Sequence, residues 1–200
     1  VYRAGNELPA QFADSLLGLQ VGALFGPYRD NGFYRISRMM DKKENGSVKA
    51  SHILITYEGA ERANPQITRS KKEAEARAEE LLEEARKEGA VFAQLARENS
   101  DGPSAPRGGD LGYFQEGVMT EKFNDFAFDN PVGTIGLVET EFGYHIVRVD
   151  DKQDVVRLAT FSRAIEPSDE TINALFTEAT TFEMAVTEDK EGYAAKAAEK

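Results

Sequence analysis

Histidine occurs only twice in 200 residues, and both copies sit in apolar runs: Lys49-Ala50-Ser51-His52-Ile53-Leu54-Ile55 and Phe142-Gly143-Tyr144-His145-Ile146-Val147. Each run reads as an apolar strand that carries one histidine. Taken alone, a buried histidine is more often a satisfied core residue than a catalytic one. Between them lies Ser100-Asp101-Gly102-Pro103-Ser104-Ala105-Pro106-Arg107-Gly108-Gly109-Asp110-Leu111-Gly112-Tyr113-Phe114, where the Gly108-Gly109 pair serves turn geometry. The absence of cysteine excludes disulfides, thiolate zinc sites and cysteine nucleophiles. Two histidines are also too few for a histidine-rich metal centre.

The elements that carry these runs follow from periodicity. Ser70 and Glu73 form a capping box, and Gly89 supplies a stop. Between them Ala74, Ala78, Leu81, Leu82 and Ala85 share one helical face. A second helix from Val91 to Glu98 buries Phe92, Leu95 and Ala96. Pro103, Pro106, Gly108 and Gly109 then interrupt regular structure until about Leu111. Thr120 can cap a third helix through Phe123, Phe126 and Ala127, ended by Pro131 and Gly133. Leu137 to Val149 alternates around Gly143 as a hairpin, with Val48–Ile55 as its partner strand. The order is that of a small α+β domain.

Composition narrows the rest. A hydrophobic fraction of 40% suffices for a core, and the length fits one to two domains. Its 24 basic and 35 acidic residues leave a net charge of −11, which repels phosphate backbones and argues against nucleic acid as a partner. No apolar run is long enough to cross a bilayer, and no signal-peptide pattern opens the chain.

Part of the chain repeats. Phe12, Asp14, Val21 and Gly22 match Phe123, Asp125, Val132 and Gly133 at a spacing of 111. After one inserted residue, Gly26, Tyr34, Ile36, Arg38, Asp41 and Lys42 match Gly136, Tyr144, Ile146, Arg148, Asp151 and Lys152. Residues 1–47, which end in the polar run Asp41–Ser47, are therefore expected to be the C-terminal half of a degenerate copy, with Arg35 where the second copy has His145. Residues 48–152 are expected to form the complete domain. Val155–Ile165 alternates as a strand, and Ser168 caps a helix over Glu170–Phe182 with Ile172, Leu175, Phe176 and Ala179 on one face. Residues 153–200 thus read as the strand–helix start of a following domain with a charged tail, or alternatively as a helix docked on the preceding domain. The tail after Glu188 is charged enough to fray.

The two histidine runs with the Gly-Gly-Asp-Leu-Gly-aromatic-Phe loop between them resemble the parvulin family of peptidyl-prolyl cis–trans isomerases, over about Val48 to Lys152. The bacterial PpiC, PpiD and SurA branch is most similar, since no WW module is present. The resemblance implies an antiparallel sheet with flanking helices, no cofactor and no metal. It assigns His52 and His145 to a hydrogen-bonded pair on adjacent strands, with Thr140 as the hydroxyl that supports it. It assigns the proline cradle to Leu111, Phe114, Met119 and Phe123, with Phe142 near the rim, although Phe114, Met119 and Phe123 could be ordinary core residues. Phe126 and Phe128 are expected to be core.

Gly102 stands where many parvulins carry a cysteine or aspartate beside the twisting carbonyl, and Asp101 could substitute if the loop turns differently. Lys71, Lys72, Arg62 and Arg69 are dispersed among Glu58, Glu61 and Glu73, so unphosphorylated peptide is the expected substrate. The resemblance implies unfolded or newly exported proline-containing clients and an accessory chaperone role. It also implies a bacterial periplasmic or envelope location, any membrane contact being made by regions outside these residues. The alternative is a parvulin-like module that holds peptide without turning it over, a reading that Gly102 favours and the retained histidine pair opposes.

Overall fold

The computed structural model describes residues 1–188; the charged tail beyond Glu188 lies outside the described residues. Among these residues are six strands and five α-helices: β1 (Arg3–Ala4), α1 (Ala13–Leu17), β2 (Leu24–Asp30), β3 (Phe33–Ile55), α2 (Lys71–Ala85), α3 (Phe92–Asn99), β4 (Asp110–Gln115), α4 (Glu121–Asp129), β5 (Ile135–Thr140), β6 (Gly143–Ala164) and α5 (Asp169–Glu188). The sheet runs β1-β6-β3-β2, with β4 pairing β3 and β5 pairing β6. The α+β class expected from the sequence is the observed one.

Two compact units are present: Val1–Phe25 with Ser37–Ala159, and Gly26–Ile36 with the residues from Thr160 onward. In the first unit, alternation along β3 and β6 sorts side chains to opposite faces. Ile53, Ile55, Tyr144 and Ile146 meet Ala74, Ala78 and Leu81 of α2 and Phe92 and Leu95 of α3. Val48, Ala50, Val147 and Val149 meet Phe114 and the Phe123 and Ala127 of α4. The histidines fall on the α4 face, because His52 keeps step with Ala50 and His145 with Val147.

The expected capping box is present, Ser70 Oγ accepting from the Glu73 N–H at 3.3 Å while Glu73 accepts the Ser70 N–H at 2.7 Å. The helix stops at Ala85, short of Gly89, where its buried stripe ends. Thr120 occupies the N-cap of α4 without a side-chain cap bond. The polar run Asp41–Ser47 is not a break but lies inside β3, which continues unbroken to Ile55. The neighbouring strand supplies the reason: β6 lies beside β3, and its Asp154 carboxylate accepts the Asn45 N–H at 3.1 Å and pairs with Lys42 at 3.2 Å, so this hydrophilic stretch is held by polar side-chain contacts.

Candidate active site

Strands β3 and β6 are neighbours, and they bring His52 and His145 together although 93 residues separate them. The rings stack with centroids 5.2 Å apart and planes inclined by 18°. Their Nδ1 atoms lie 3.0 Å apart, so one must carry the hydrogen and the other the lone pair. The outer nitrogens are also engaged: His52 Nε2 is 2.9 Å from Ser104 Oγ, and His145 Nε2 is 2.8 Å from Thr140 Oγ1. Thr140 Oγ1 also accepts the Phe142 N–H at 3.2 Å. The result is one chain, Ser104–His52–His145–Thr140. If Ser104 donates, every hydrogen points toward Thr140; if Thr140 donates, all are reversed, and both imidazoles change tautomer together.

Both imidazoles are buried, at 8% and 6% exposure. Burial lowers the His52 pKa to about 4; burial first, and then the neighbouring His52, lowers that of His145 to about 3. The pair is therefore neutral at pH 7. The Phe123 ring stands edge-on to both, at 5.9 Å and 80° to His52 and 5.6 Å and 83° to His145.

The glycine loop holds His52 from behind. The His52 N–H donates to the Gly109 carbonyl at 3.0 Å. Gly109 has φ +81°, and a Cβ there would lie 2.2 Å from the His52 carbonyl oxygen, so only glycine allows the two chains to approach this closely.

Over the pair opens a cavity of about 500 Å³ whose walls include Leu54, Leu111, Met119, Phe123 and Phe142. Four of the five expected cradle residues are thus on the wall. Phe114 is behind it, 6% exposed, with its ring 6.2 Å from Phe123 and 6.0 Å from Phe128. It backs the wall from the core because β4 carries it beneath α4. Phe126 and Phe128 pack against the same cluster, as expected.

Arg62, Glu61, Asn64 and Asp101 also line the cavity, and the Arg62 guanidinium lies 5.6 Å from the centre of the Phe142 ring. Asp101 is not available to stand in for a side chain at Gly102. Its carboxylate accepts the Thr56 N–H at 3.0 Å and pairs with Arg69 at 3.0 Å, fastening the loop to the end of β3. Gly102 sits beside His52, and a Cβ there would be 3.5 Å from Nε2, an ordinary contact.

Ser104 is the member that sequence reasoning misses. It is 2% exposed, yet its neighbours are proline, glycine and alanine, so nothing in the sequence marks it as buried. The remaining basic residues do not cluster: Lys71 pairs with Glu139 at 2.6 Å and Arg69 with Asp101. Among the described residues, no group of three or more potential ligands could hold a metal ion.

A sequence profile of the PPIC-type PPIase domain matches residues 34–153. The chain is 31% identical over 170 residues to chaperone SurA of Alcanivorax borkumensis, a match covering 81% of this chain and 37% of the relative. It is 40% identical over 115 residues to foldase protein PrsA of Exiguobacterium sibiricum, covering 56% of this chain and 32% of that one. It spans about a third of the length of these curated relatives. Among solved structures, peptidyl-prolyl isomerase ESS1 from Candida albicans matches with a TM-score of 0.51 at 31% identity, over 55% of this chain and 65% of that one.

Proposed function

The chain belongs to the PPIC-type PPIase (peptidyl-prolyl isomerase) family, and from that premise we propose that it accelerates rotation about X–Pro bonds of unfolded polypeptides without covalent chemistry. The observation that carries this reading is the buried, uncharged histidine pair at the floor of a cavity of about 500 Å³ that has Leu111, Met119, Phe123 and Phe142 on its wall. An X–Pro bond turns over in tens to hundreds of seconds because partial double-bond character raises a barrier of about 18–20 kcal/mol. Twisting the amide removes resonance and with it charge separation, so a dry apolar wall favours the twisted state over both planar ones. Leu111, Met119, Phe123 and Phe142 hold the ring and exclude water. His52 and His145, supported by Ser104 and Thr140, present a polar but uncharged floor that reverses its hydrogen bonds without gaining a proton.

Unphosphorylated peptide is the proposed substrate, since Arg69 and Lys71 are tied to carboxylates and Arg62 is the single basic side chain among the described residues of the cavity wall. In a protease-coupled assay an Ala-Pro tetrapeptide should be turned over at least as fast as its phosphoserine-Pro counterpart. A phosphopeptide preferred tenfold or more contradicts this. The names of the SurA and PrsA relatives, a chaperone and a foldase, support an accessory folding role. Unfolded clients and a location in the bacterial envelope are part of the same proposal, as the resemblance to this family implies.

A second reading, a module that binds without turning over, is favoured by Gly102 alone. If the missing polar group limits the rate, Gly102→Asp should raise kcat/KM by about fivefold, worth about 1 kcal/mol, and a Cβ at this position meets only ordinary contacts. A slower Asp variant shows that Gly102 does not limit the rate.

A further inference from the structure

Among the described residues, every exposed aromatic ring except Tyr113 belongs to the second unit: Phe33, Tyr34, Phe161 and Phe176. They form two apolar faces. One is a strip on the strands, with Tyr34 52%, Ile36 40% and Phe161 69% exposed; the other is α5, with Ile172 49%, Leu175 60%, Phe176 72% and Met184 56% exposed.

The isomerase domain shows what covers such a strip, because matching contacts link the two regions pair by pair. Gly22 N–H donates to Met39 O at 2.8 Å and Met39 N–H to Ala23 O at 3.0 Å, as Gly133 does to Val149 and Val149 to Thr134 at the same distances. Lys42 Nζ reaches the Leu17 carbonyl as Lys152 Nζ reaches that of Phe128, and Tyr2 bonds Asp41 as Tyr113 bonds Asp151. Arg3 and Ala4 pair with Val156 and Val155 in the register by which Phe114 and Gln115 pair with Val48 and Ser47. By this correspondence Tyr34, Ile36 and Phe161 answer to Tyr144, Ile146 and Ile53, and those three are buried under α2. The Asp30–Arg35 ion pair, at 3.2 Å, stands where Thr140 meets His145.

Helix α5 is the counterpart of α2. Ile172 and Phe176 follow the N-cap Ser168 at the spacing by which Ala74 and Ala78 follow Ser70. The connections differ. Residues 56–69 join β3 to the cap of α2, whereas Ile165 is still bonded to Gly32 and only Glu166 and Pro167 precede Ser168. With this short, proline-containing hinge α5 does not lie back over its own strand, since Tyr34 and Phe161 and the Leu175 and Phe176 of the helix all stay exposed, and a short hinge of this kind is the setting for exchange between copies.

We propose that α5 of one copy covers the Tyr34–Ile36–Phe161 strip of a second copy, and reciprocally, so that two chains form a closed dimer through a histidine-free counterpart of the isomerase fold. Sedimentation equilibrium of the 200-residue chain should show a dimer at about 100 μM or below. Phe176→Asp and, separately, Phe161→Asp should weaken it at least a hundredfold; both side chains are exposed, so the fold tolerates them. Inserting six Gly/Ser residues after Glu166 should give a monomer in which Phe161 remains protected from hydroxyl-radical labelling. A wild-type monomer at that concentration overturns the proposal, as does a dimer indifferent to both Asp variants. A dimer that survives the lengthened hinge overturns the exchange.

Discussion

Phe123→Ala is expected to lower kcat/KM for an Xaa-Pro peptide by about a hundredfold, the loss of roughly 2.7 kcal/mol of transition-state binding. The ring is 3% exposed, forms part of the cavity wall and stands edge-on to both imidazoles. Its removal takes away the apolar surface on which a proline ring would lie and lets water reach the histidine pair. Stability should fall too, by about 3–5 kcal/mol, as for other buried phenylalanines cut to alanine. The two effects are separated by Met119→Ala, a wall residue that is only partly buried. That variant should melt within a few degrees of wild type yet lose about tenfold in kcat/KM, the yield of roughly 1.4 kcal/mol of apolar contact. Stopped-flow protease-coupled kinetics on variants checked by circular dichroism decide it. Full activity in both would remove the cavity from the reaction.

Acid should act on folding before it acts on catalysis. The unfolded chain protonates its histidines near 6.5, whereas the folded chain resists until about 4 at His52 and about 3 at His145. Between those limits the unfolded state binds more protons. The stability these groups contribute is therefore complete above pH 6.5 and is lost as pH falls toward the folded values. The sum is on the order of several kcal/mol by pH 4, since a pKa that differs by one between the folded and unfolded chain is worth about 1.4 kcal/mol. Catalysis, which on the proposed mechanism draws on the neutral pair, should stay level from pH 8 to about 5. Urea melts at pH 7 and pH 4.5 measure the first effect, and a His52→Gln/His145→Gln double variant should lose most of that pH dependence. A rate profile falling with a midpoint near 6.5, or an unchanged pH dependence in the double variant, contradicts a buried neutral pair.

The readable part of this chain is the part set by local pattern. Period-2 alternation around Gly143, the Ser70–Glu73 box and the helical stripe ending at Ala85 each specify an element from a few neighbouring residues, and each is found. The histidine pair was legible through the resemblance of whole motifs, not through either residue. What stayed hidden depends on distant partners. The hydrophilic run Asp41–Ser47 becomes strand only because β6, more than a hundred residues on, runs alongside it. Ser104 lies in a loop of turn formers and is buried only because His52 and the Gly109 turn close on it. Phe114 carries the same pattern as its cradle neighbours but is placed behind Phe123 by the register of β4, which residue type does not encode.

The most direct test of the isomerase reading is two-dimensional exchange NMR on a short unphosphorylated Xaa-Pro peptide with catalytic amounts of the 200-residue chain at pH 7. Cis and trans resonances should exchange orders of magnitude faster than the uncatalysed rate, and Phe123→Ala should return the exchange close to that baseline. Peptide shifts that report binding while the exchange rate stays uncatalysed would contradict it and leave a holding module built on an isomerase fold.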